Sequence, residues 1–184
     1  MKTGTTTMAL LCRDGVVIAA DRKMTAGNMI AHKKFQKVIP ISDDLIVTIA
    51  GMVSDAQLLT KIIKAQVRLE TIRRGKKPSV KEAANLIGSL VYGNVRKFNP
   101  FMSIVGFLLA GRDEKGYHVY EIGVDGSVSE HEDYVCDGSG SVFAIGLLES
   151  NYIKDMSVDE GVKLSIKALN SAIQRDTASG CGYD

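Results

Sequence analysis

The spacing of apolar residues changes period three times along the 184-residue chain, and the order of these periods limits its fold more than any other feature. Residues 5–50 and 102–136 contain short runs of β-forming residues separated by turn signals such as Asp-Gly. Residues 54–96 and 141–175 instead carry apolar side chains at helical spacing. Strands and helices in separate blocks favour stacked layers over alternating βαβ units. We therefore predict an α+β fold in one domain.

The individual elements follow from the same pattern and its punctuation. Strands are predicted at residues 5–12, 16–21, 37–40, 45–50, 102–110, 117–122 and 128–136. Helices are predicted at residues 54–73, 79–96, 141–149 and 157–175. Ser54 and Gln57 have the spacing of a capping box, and Gly75 stands where the first helix should end. A sheet packed on a sheet, with helices outside both, accommodates this inventory.

Composition excludes several classes of function. The formal net charge is +2, which gives no electrostatic basis for binding nucleic acid or an anionic membrane. Apolar stretches fall short of the roughly 18 residues of a membrane span. The three cysteines and three histidines are scattered along the chain, so they indicate neither a metal site nor a cofactor. Scattered cysteines are typical of reduced thiols in a cytoplasmic protein.

Six short motifs lie at or near the starts and ends of the predicted strands and helices. They are Gly4-Thr5-Thr6-Thr7, Asp21-Arg22-Lys23, Lys37 after Gly27-Asn28, Ala50-Gly51 before Ser54-Asp55-Ala56-Gln57, Gly138-Ser139-Gly140-Ser141, and Asp176-Thr177-Ala178-Ser179-Gly180. Together they resemble the proteasome β-subunit family, its archaeal members most of all, from Thr5 to Gly182. The resemblance implies an N-terminal nucleophile hydrolase fold, a four-layer αββα sandwich of two antiparallel sheets flanked by helices. It also implies a propeptide at residues 1–4 and a single catalytic domain at residues 5–184.

The chemistry of Thr5 can be argued from the residue itself. A threonine hydroxyl is a poor nucleophile unless a base removes its proton. An N-terminal threonine carries its own base, because a free α-amine has a pKa of about 7.7–8.0. The bond between Gly4 and Thr5 must then be cut, and glycine lets the backbone bend enough for Thr5 Oγ to attack it. We therefore expect autocatalytic cleavage between Gly4 and Thr5.

The resemblance implies roles for the remaining site residues. The implied catalytic set is Thr5, Asp21, Lys37, Gly51, Ser139, Asp176 and Ser179. Lys37 would stabilise the alkoxide and Asp21 would hold its ammonium charged, while the Gly51 amide would point at the developing oxyanion. The two serines and Asp176 would orient the α-amine. Lys23 is assigned no catalytic role, because the Arg-Lys order reverses the Lys-Arg that is common in relatives.

The resemblance also implies a pocket for the side chain that precedes the cut. Its residues here are Met24, Thr25, Phe35, Ile49, Val53 and Gln57. The apolar members favour a large hydrophobic side chain and disfavour an unpaired charge. Met24 stands where relatives usually have a small residue. Met24 and Phe35 would narrow the pocket, so leucine is expected to fit it better than tyrosine.

The resemblance therefore implies a threonine endopeptidase that degrades unfolded proteins inside a chamber of stacked rings. By resemblance, its partners are β-type subunits in a ring of seven, α-type subunits, polypeptide substrates and, through the α ring, a regulatory ATPase. Two alternatives remain, a non-catalytic ring subunit and another N-terminal nucleophile amidohydrolase that acts on a small amide. The complete catalytic set disfavours the non-catalytic subunit, whereas Lys37 and the Asp176-to-Ser179 pattern disfavour the amidohydrolase. Relatives usually continue beyond Asp184 with a short final strand.

Overall fold

The computed structural model describes residues 4–97 and 104–184. Its strands are β1 (Thr7–Cys12), β2 (Gly15–Ala20), β3 (Met24–Ala26), β4 (Met29–His32), β5 (Val38–Pro40), β6 (Leu45–Gly51), β7 (Val105–Asp113), β8 (Gly116–Ile122), β9 (Val128–His131) and β10 (Tyr134–Asp137). Its helices are α1 (Val53–Arg74), α2 (Val80–Val95), α3 (Ser141–Asn151) and α4 (Val158–Arg175). No helix in these two ranges is long and apolar enough to cross a membrane.

Two antiparallel sheets stack face to face between two pairs of helices. One sheet has the strand order β10-β1-β2 and the other has the order β5-β6-β7-β8-β9, while β3 and β4 form a separate hairpin. A cluster that includes Ala9, Leu108 and Val119 fills the space between the sheets. A second cluster lies between the five-stranded sheet and the helices α1 and α2, and a third lies between the other sheet and α3 and α4. The predicted αββα sandwich is therefore confirmed.

The helix ends agree with the sequence signals in three of four tested positions. Ser79 and Ser157 each form a complete capping box, and Gly75 ends α1 with a φ of 66°. The capping box predicted at Ser54 and Gln57 is wrong, because α1 begins earlier, after Met52. Strand β6 runs almost directly into this helix, and the Met52 amide donates to the Ile104 carbonyl at 2.9 Å. Pairing with the neighbouring chain segment thus replaces a side-chain cap.

Two strand predictions need correction. The single strand predicted at residues 128–136 is two strands, since β9 pairs with β8 and β10 pairs with β1 in the other sheet. The hairpin β3–β4 was not predicted, because its residues are largely exposed and Met29 is 74% exposed. Residues 102 and 103 of the predicted strand 102–110 lie outside the described residues, and β7 continues beyond that prediction to Asp113.

The ends of several strands meet at one edge of the sandwich. Thr7 lies opposite both Asp137 and Ala20, so the start of β1 lies between the ends of β2 and β10. Gly51 lies opposite Val105 at the matching edge of the five-stranded sheet. The end of the described chain joins this edge, where Asp184 and Ala20 exchange backbone hydrogen bonds of 2.8 and 3.2 Å. The motifs from distant parts of the sequence are thereby brought together.

Candidate active site

Thr5 lies two residues before β1 and is only 5% exposed. Its hydroxyl Oγ1 donates to Asp21 Oδ1 at 3.3 Å. Its backbone nitrogen donates to Ser139 Oγ at 3.2 Å. In the chain that still carries Gly4 this nitrogen is an amide, so it cannot act as a base. Thr5 is therefore held at both functional atoms before any base is available to it.

The Asp21 side chain is fully buried and accepts hydrogen bonds at both oxygens. Oδ1 accepts from Thr6 N at 2.9 Å, in addition to the Thr5 hydroxyl. Oδ2 accepts from Lys23 N at 3.0 Å and Gly180 N at 2.9 Å. Because a buried carboxyl group is tolerated when it is well hydrogen-bonded, these donors account for the burial of Asp21. Through these hydrogen bonds Asp21 connects the segments next to β1 and β2 with the loop after α4.

Lys37 supplies the positive partner of Asp21. It precedes β5, it is 4% exposed, and its Nζ lies 2.6 Å from Asp21 Oδ1. Thr5 Oγ1 and Lys37 Nζ therefore share one carboxylate oxygen. Burial lowers the pKa of Lys37, although Asp21, Asp176 and Asp184 oppose that shift. A buried ammonium beside a hydroxyl can stabilise the alkoxide that forms when the hydroxyl loses its proton.

A second network holds the nitrogen of Thr5. Ser139 Oγ and Ser179 Oγ each donate to Asp176 Oδ2 at 2.6 Å. Burial raises the pKa of Asp176, but the hydrogen bonds from the two serines and the Ala178 amide, with the charge of Lys23, together outweigh burial and hold that pKa below its ordinary value. Because the Ser179 proton is committed to Asp176, the 2.6 Å contact between Thr6 Oγ1 and Ser179 Oγ has threonine as its donor. This network fixes Ser139 as an acceptor for Thr5 N.

Two glycines allow the backbone to approach the site closely. Gly51 has a φ of 122°, and a Cβ there would lie 2.1 Å from the Ile104 carbonyl oxygen. Gly138 has a φ of 94°, and a Cβ there would lie 2.2 Å from the Thr5 carbonyl oxygen. Both conformations strongly favour glycine. The glycines that the motifs single out are thus required by geometry at the end of β6 and before α3.

A small cavity of about 30 Å³ opens beside Thr5. Its lining consists of Gly4, Thr5, Lys23, Met24, Thr25, Phe35, Lys37, Ile49, Gly51, Val53 and Ala56. Five of the six residues expected to form the specificity pocket belong to this lining. Gln57 does not, because it is exposed on the first turn of α1 while its neighbour Ala56 faces the cavity.

The structure adds two residues that the sequence did not assign to the site. Lys23 lines the cavity, and its Nζ donates to the Thr177 carbonyl at 3.2 Å, so it braces the loop after α4. Thr6 links Asp21 and Ser179 through its amide and hydroxyl. For Thr6, which lies just before β1, the available signal is its position next to Thr5 in the threonine triplet. Lys23 was assigned no role because the Arg22-Lys23 order reverses the Lys-Arg order that is common in relatives.

Comparisons with known proteins agree with the geometry. A family model described as "Proteasome subunit" matches residues 1–184. A relative named "Proteasome subunit beta" from Ferroglobus placidus is 45% identical over 181 residues, which cover 98% of this chain and 84% of the relative. Relatives with the same name from Archaeoglobus fulgidus and Methanocorpusculum labreanum are each 42% identical. They align with 98% and 100% of this chain and with 83% and 85% of their own lengths.

Proposed function

This chain belongs to the proteasome subunit family, and on that premise we propose that it is a catalytic β subunit, a threonine endopeptidase acting on unfolded proteins. One observation carries the proposal. Thr5 Oγ1 and Lys37 Nζ share Asp21 Oδ1, while Ser139 holds the Thr5 nitrogen. A nucleophile, a stabilising cation and a nitrogen that can become a base thus meet at one buried point.

The first step is removal of Met1 to Gly4 by the chain itself. Thr5 Oγ attacks the Gly4 carbonyl, the Gly4–Thr5 C–N bond breaks, and the hydroxyl proton ends on the departing Thr5 nitrogen. Water then hydrolyses the resulting ester, which releases Met1 to Gly4 as an acid and leaves Thr5 with a free hydroxyl and a free α-amine. Gly4 forms part of the cavity wall, and a Cβ at this position would lie 2.0 Å from Ala178 Cβ. The peptide leading to Thr5 therefore occupies a tight passage at the nucleophile. Its removal both exposes the amine and enlarges the cavity.

Peptide hydrolysis then uses the new amine as the general base. The amine, with a reference pKa of about 7.7–8.0, takes the proton from Thr5 Oγ as the oxygen attacks the substrate carbonyl. Lys37 stabilises the developing alkoxide, and the Gly51 amide donates to the oxyanion of the tetrahedral intermediate. The C–N bond breaks, its nitrogen leaves with the proton, and a threonine ester remains. Water hydrolyses this ester with the same amine as base.

Asp21 and the serine–aspartate network act by positioning. Asp21 balances the charge of Lys37 and fixes it next to Thr5. Ser139, Asp176 and Ser179 keep an acceptor pointed at the Thr5 nitrogen, which orients the free amine towards Oγ. Misplacing a base by about 1 Å can lower the rate by about 100-fold. Mutations in either network are therefore expected to lower the rate of hydrolysis, although no residue of these networks forms a bond to the substrate.

The cavity supports cleavage after large hydrophobic residues. Met24, Phe35, Ile49 and Val53 give it apolar walls, and burying a leucine-sized side chain contributes about 1.5–3 kcal/mol. Lys37 and Lys23 also line it, but Lys37 is paired with Asp21 and the Lys23 ammonium donates to Thr177. The preferred residues before the cut are accordingly leucine, phenylalanine, tyrosine and methionine, with leucine favoured by the narrow walls.

Membership of this family implies assembly into the multi-subunit proteasome. We extend this to a ring of seven β-type subunits stacked on α-type rings, with a regulatory ATPase acting through the α ring. Enclosure would keep the threonine site away from folded cellular proteins. Cys12, Cys136 and Cys181 are free thiols, which supports a reducing cytoplasm as the site of action.

The test is peptide hydrolysis by the chain assembled with its α-type partner. Thr5→Ala should abolish hydrolysis of a leucine–aminocoumarin peptide, because the nucleophilic oxygen is lost. Thr5→Ser keeps the hydroxyl and the amine, and it should retain measurable turnover. Equal turnover by Thr5→Ala and the unaltered chain would overturn the proposal. In a panel that varies only the residue before the cut, faster cleavage after lysine or glutamate than after leucine would overturn the pocket assignment alone.

A further inference from the structure

We propose that Asp137 forms a subsite for a cationic side chain on the leaving-group side of Thr5, so that cleavage is favoured before arginine or lysine. This inference rests on the proposed peptidase function and names a preference within it. Asp137 is the last residue of β10 and plays no part in the two networks around Thr5. It directly precedes Gly138, the residue packed against the Thr5 carbonyl.

Asp137 faces the space between the two sheets at the edge where the active site opens. Val135, two residues earlier on β10, belongs to the cluster between the sheets, whereas Cys136 faces the helices. By strand alternation Asp137 shares the side of Val135. Asp137 Oδ2 lies over Gly106 of β7, where a Cβ would come within 2.6 Å of it. The carboxylate therefore sits at the mouth of the intersheet layer, on the face that also carries Thr5.

Asp137 is a part-buried acid whose charge is not balanced within the described chain. Its Oδ1 accepts from the Gly138 amide at 2.6 Å. None of the ion pairs within residues 4–97 and 104–184 includes it. Burial raises the pKa of Asp137, and the nearby charge of Glu121 adds to that rise. Glu121 is itself paired with His131 at 3.3 Å. An arriving cation would relieve this cost, because opposite charge favours the ionised carboxylate.

The position of Asp137 relative to the cavity identifies the substrate residue that it would meet. The cavity lies on the side of Thr5 that Met24, Ile49 and Lys37 form, and it receives the residue before the cut. Gly138 packs against the Thr5 carbonyl and Cγ2, and neither Gly138 nor Asp137 belongs to the cavity lining. In the proposed binding mode, a peptide with the residue before the cut in the cavity crosses Thr5 and continues on the Gly138 side. The first residue of the leaving group therefore passes Asp137.

The chemistry of the subsite favours a lysine ammonium or an arginine guanidinium and disfavours glutamate. Oδ1 is occupied by a backbone donor, so Oδ2 is the oxygen that a substrate cation would contact. Arginine is well suited to a carboxylate in a partly desolvated site. Between arginine and glutamate at this position we expect about a tenfold ratio of kcat/KM, which corresponds to about 1.4 kcal/mol.

The experiment uses the processed chain assembled with its α-type partner. Three internally quenched peptides differ only in the residue after a single leucine, which is arginine, glutamine or glutamate, and mass spectrometry verifies the cut. Asp137→Asn keeps the shape and the acceptor oxygen but removes the charge. Asp133→Asn is the matched control, because it removes an exposed charge from the residue just before the same strand. Sedimentation verifies that both variants assemble.

We expect the arginine-to-glutamate ratio to be about tenfold in the unaltered chain and in Asp133→Asn, and to fall below about threefold in Asp137→Asn. Because the measurement is a ratio, a general loss of turnover does not imitate this result. If the unaltered chain cleaves the leucine–aminocoumarin peptide but treats the three quenched peptides alike, the subsite is overturned and the peptidase function stands. If none of the peptides is cleaved, both are overturned. An unchanged ratio in Asp137→Asn also overturns the subsite.

Discussion

The two networks that hold Thr5 differ in burial and in the kind of charge that they carry. On the hydroxyl side, Asp21 and Lys37 form an ion pair whose side chains are 0% and 5% exposed. On the nitrogen side, Asp176 is part-buried, Ser139 is exposed, and the bonds run through neutral hydroxyls. Removing one member of a buried pair leaves an uncompensated charge, whereas loss of one hydroxyl can be replaced by water. The two sides should therefore respond unequally to mutation.

The largest effect is expected on the hydroxyl side. Lys37→Ala should lower kcat by more than about 100-fold, because it removes the cation next to the alkoxide. Lys37→Arg should also fail, since the planar guanidinium is larger than the ammonium. Turnover is measured on the assembled particle with a leucine–aminocoumarin peptide.

Lys34→Ala is the matched control for Lys37. Lys34 is exposed and lies three residues earlier in the same segment, so its loss should leave turnover within about twofold. Retention of more than about a tenth of turnover in Lys37→Ala, a change of about 1.4 kcal/mol, would contradict the role of the ion pair.

A smaller effect is expected on the nitrogen side. Ser139→Ala removes the acceptor of the Thr5 nitrogen but leaves Asp21 and Lys37 in place, so kcat should fall by about 10- to 100-fold. The Km for the peptide should change little, because the cavity is untouched. A loss as large as that of Lys37→Ala would show that the two networks do not differ as their burial suggests.

The pH profile separates the two sides without altering the nucleophile. Burial lowers the pKa of Lys37, so activity should fall as the pH rises through that lowered value, sooner than for an ordinary lysine. The Asp176 pKa is held down by Ser139 and Ser179 despite burial. On the acid side, activity should be lost as the free Thr5 amine takes up a proton, near its reference pKa of about 7.7–8.0 and far above the lowered pKa of Asp176. Ser179→Ala leaves the Asp176 carboxylate with one donor fewer, which favours the charged amine, so the acid limb should move to higher pH. The alkaline limb should stay unchanged in this variant, and a shift of both limbs would contradict the separation.

The smallest effect is expected at the cavity wall, away from both networks. Met24→Ala should change the preference between leucine and tyrosine before the cut by a few-fold, about 1 kcal/mol, because it widens the apolar wall. Gln57→Ala should change it less, since Gln57 is exposed. Ratios of kcat/KM for the two peptides measure both. An effect of Gln57 larger than that of Met24 would show that the assembled pocket is lined differently.

The sequence predicted the layers because their signals are local. Periods of two and 3.6 residues predicted the strands and helices, and the helix starts predicted at Ser79 and Ser157 coincide with the N-cap residues of α2 and α4. The motif order brought Thr5, Asp21 and Lys37 into one hypothesis, and the geometry unites them. A threonine nucleophile needs a cation close to its oxygen, and a buried cation needs a carboxylate, so these three side chains were expected to lie together.

The remaining features depend on contacts between distant segments, which no local pattern encodes. The start of α1 is fixed by the Met52–Ile104 hydrogen bond, so Ser54 was misread as a cap. The switch of sheets between β9 and β10 occurs within two residues that carry no glycine or proline. Lys23 braces the Thr177 carbonyl, a partner more than 150 residues away in sequence. Such contacts become visible only once the sheets are stacked.

The central claim is that Thr5 frees its own amine, and intact mass tests it most directly. The chain is measured before and after assembly with its α-type partner, in a preparation free of other peptidases. The unaltered chain should lose the mass of Met1 to Gly4 on assembly, whereas Thr5→Ala should keep it. Hydrolytic activity from a chain that retains Met1 to Gly4, or normal trimming of Thr5→Ala at the same bond, would contradict the account.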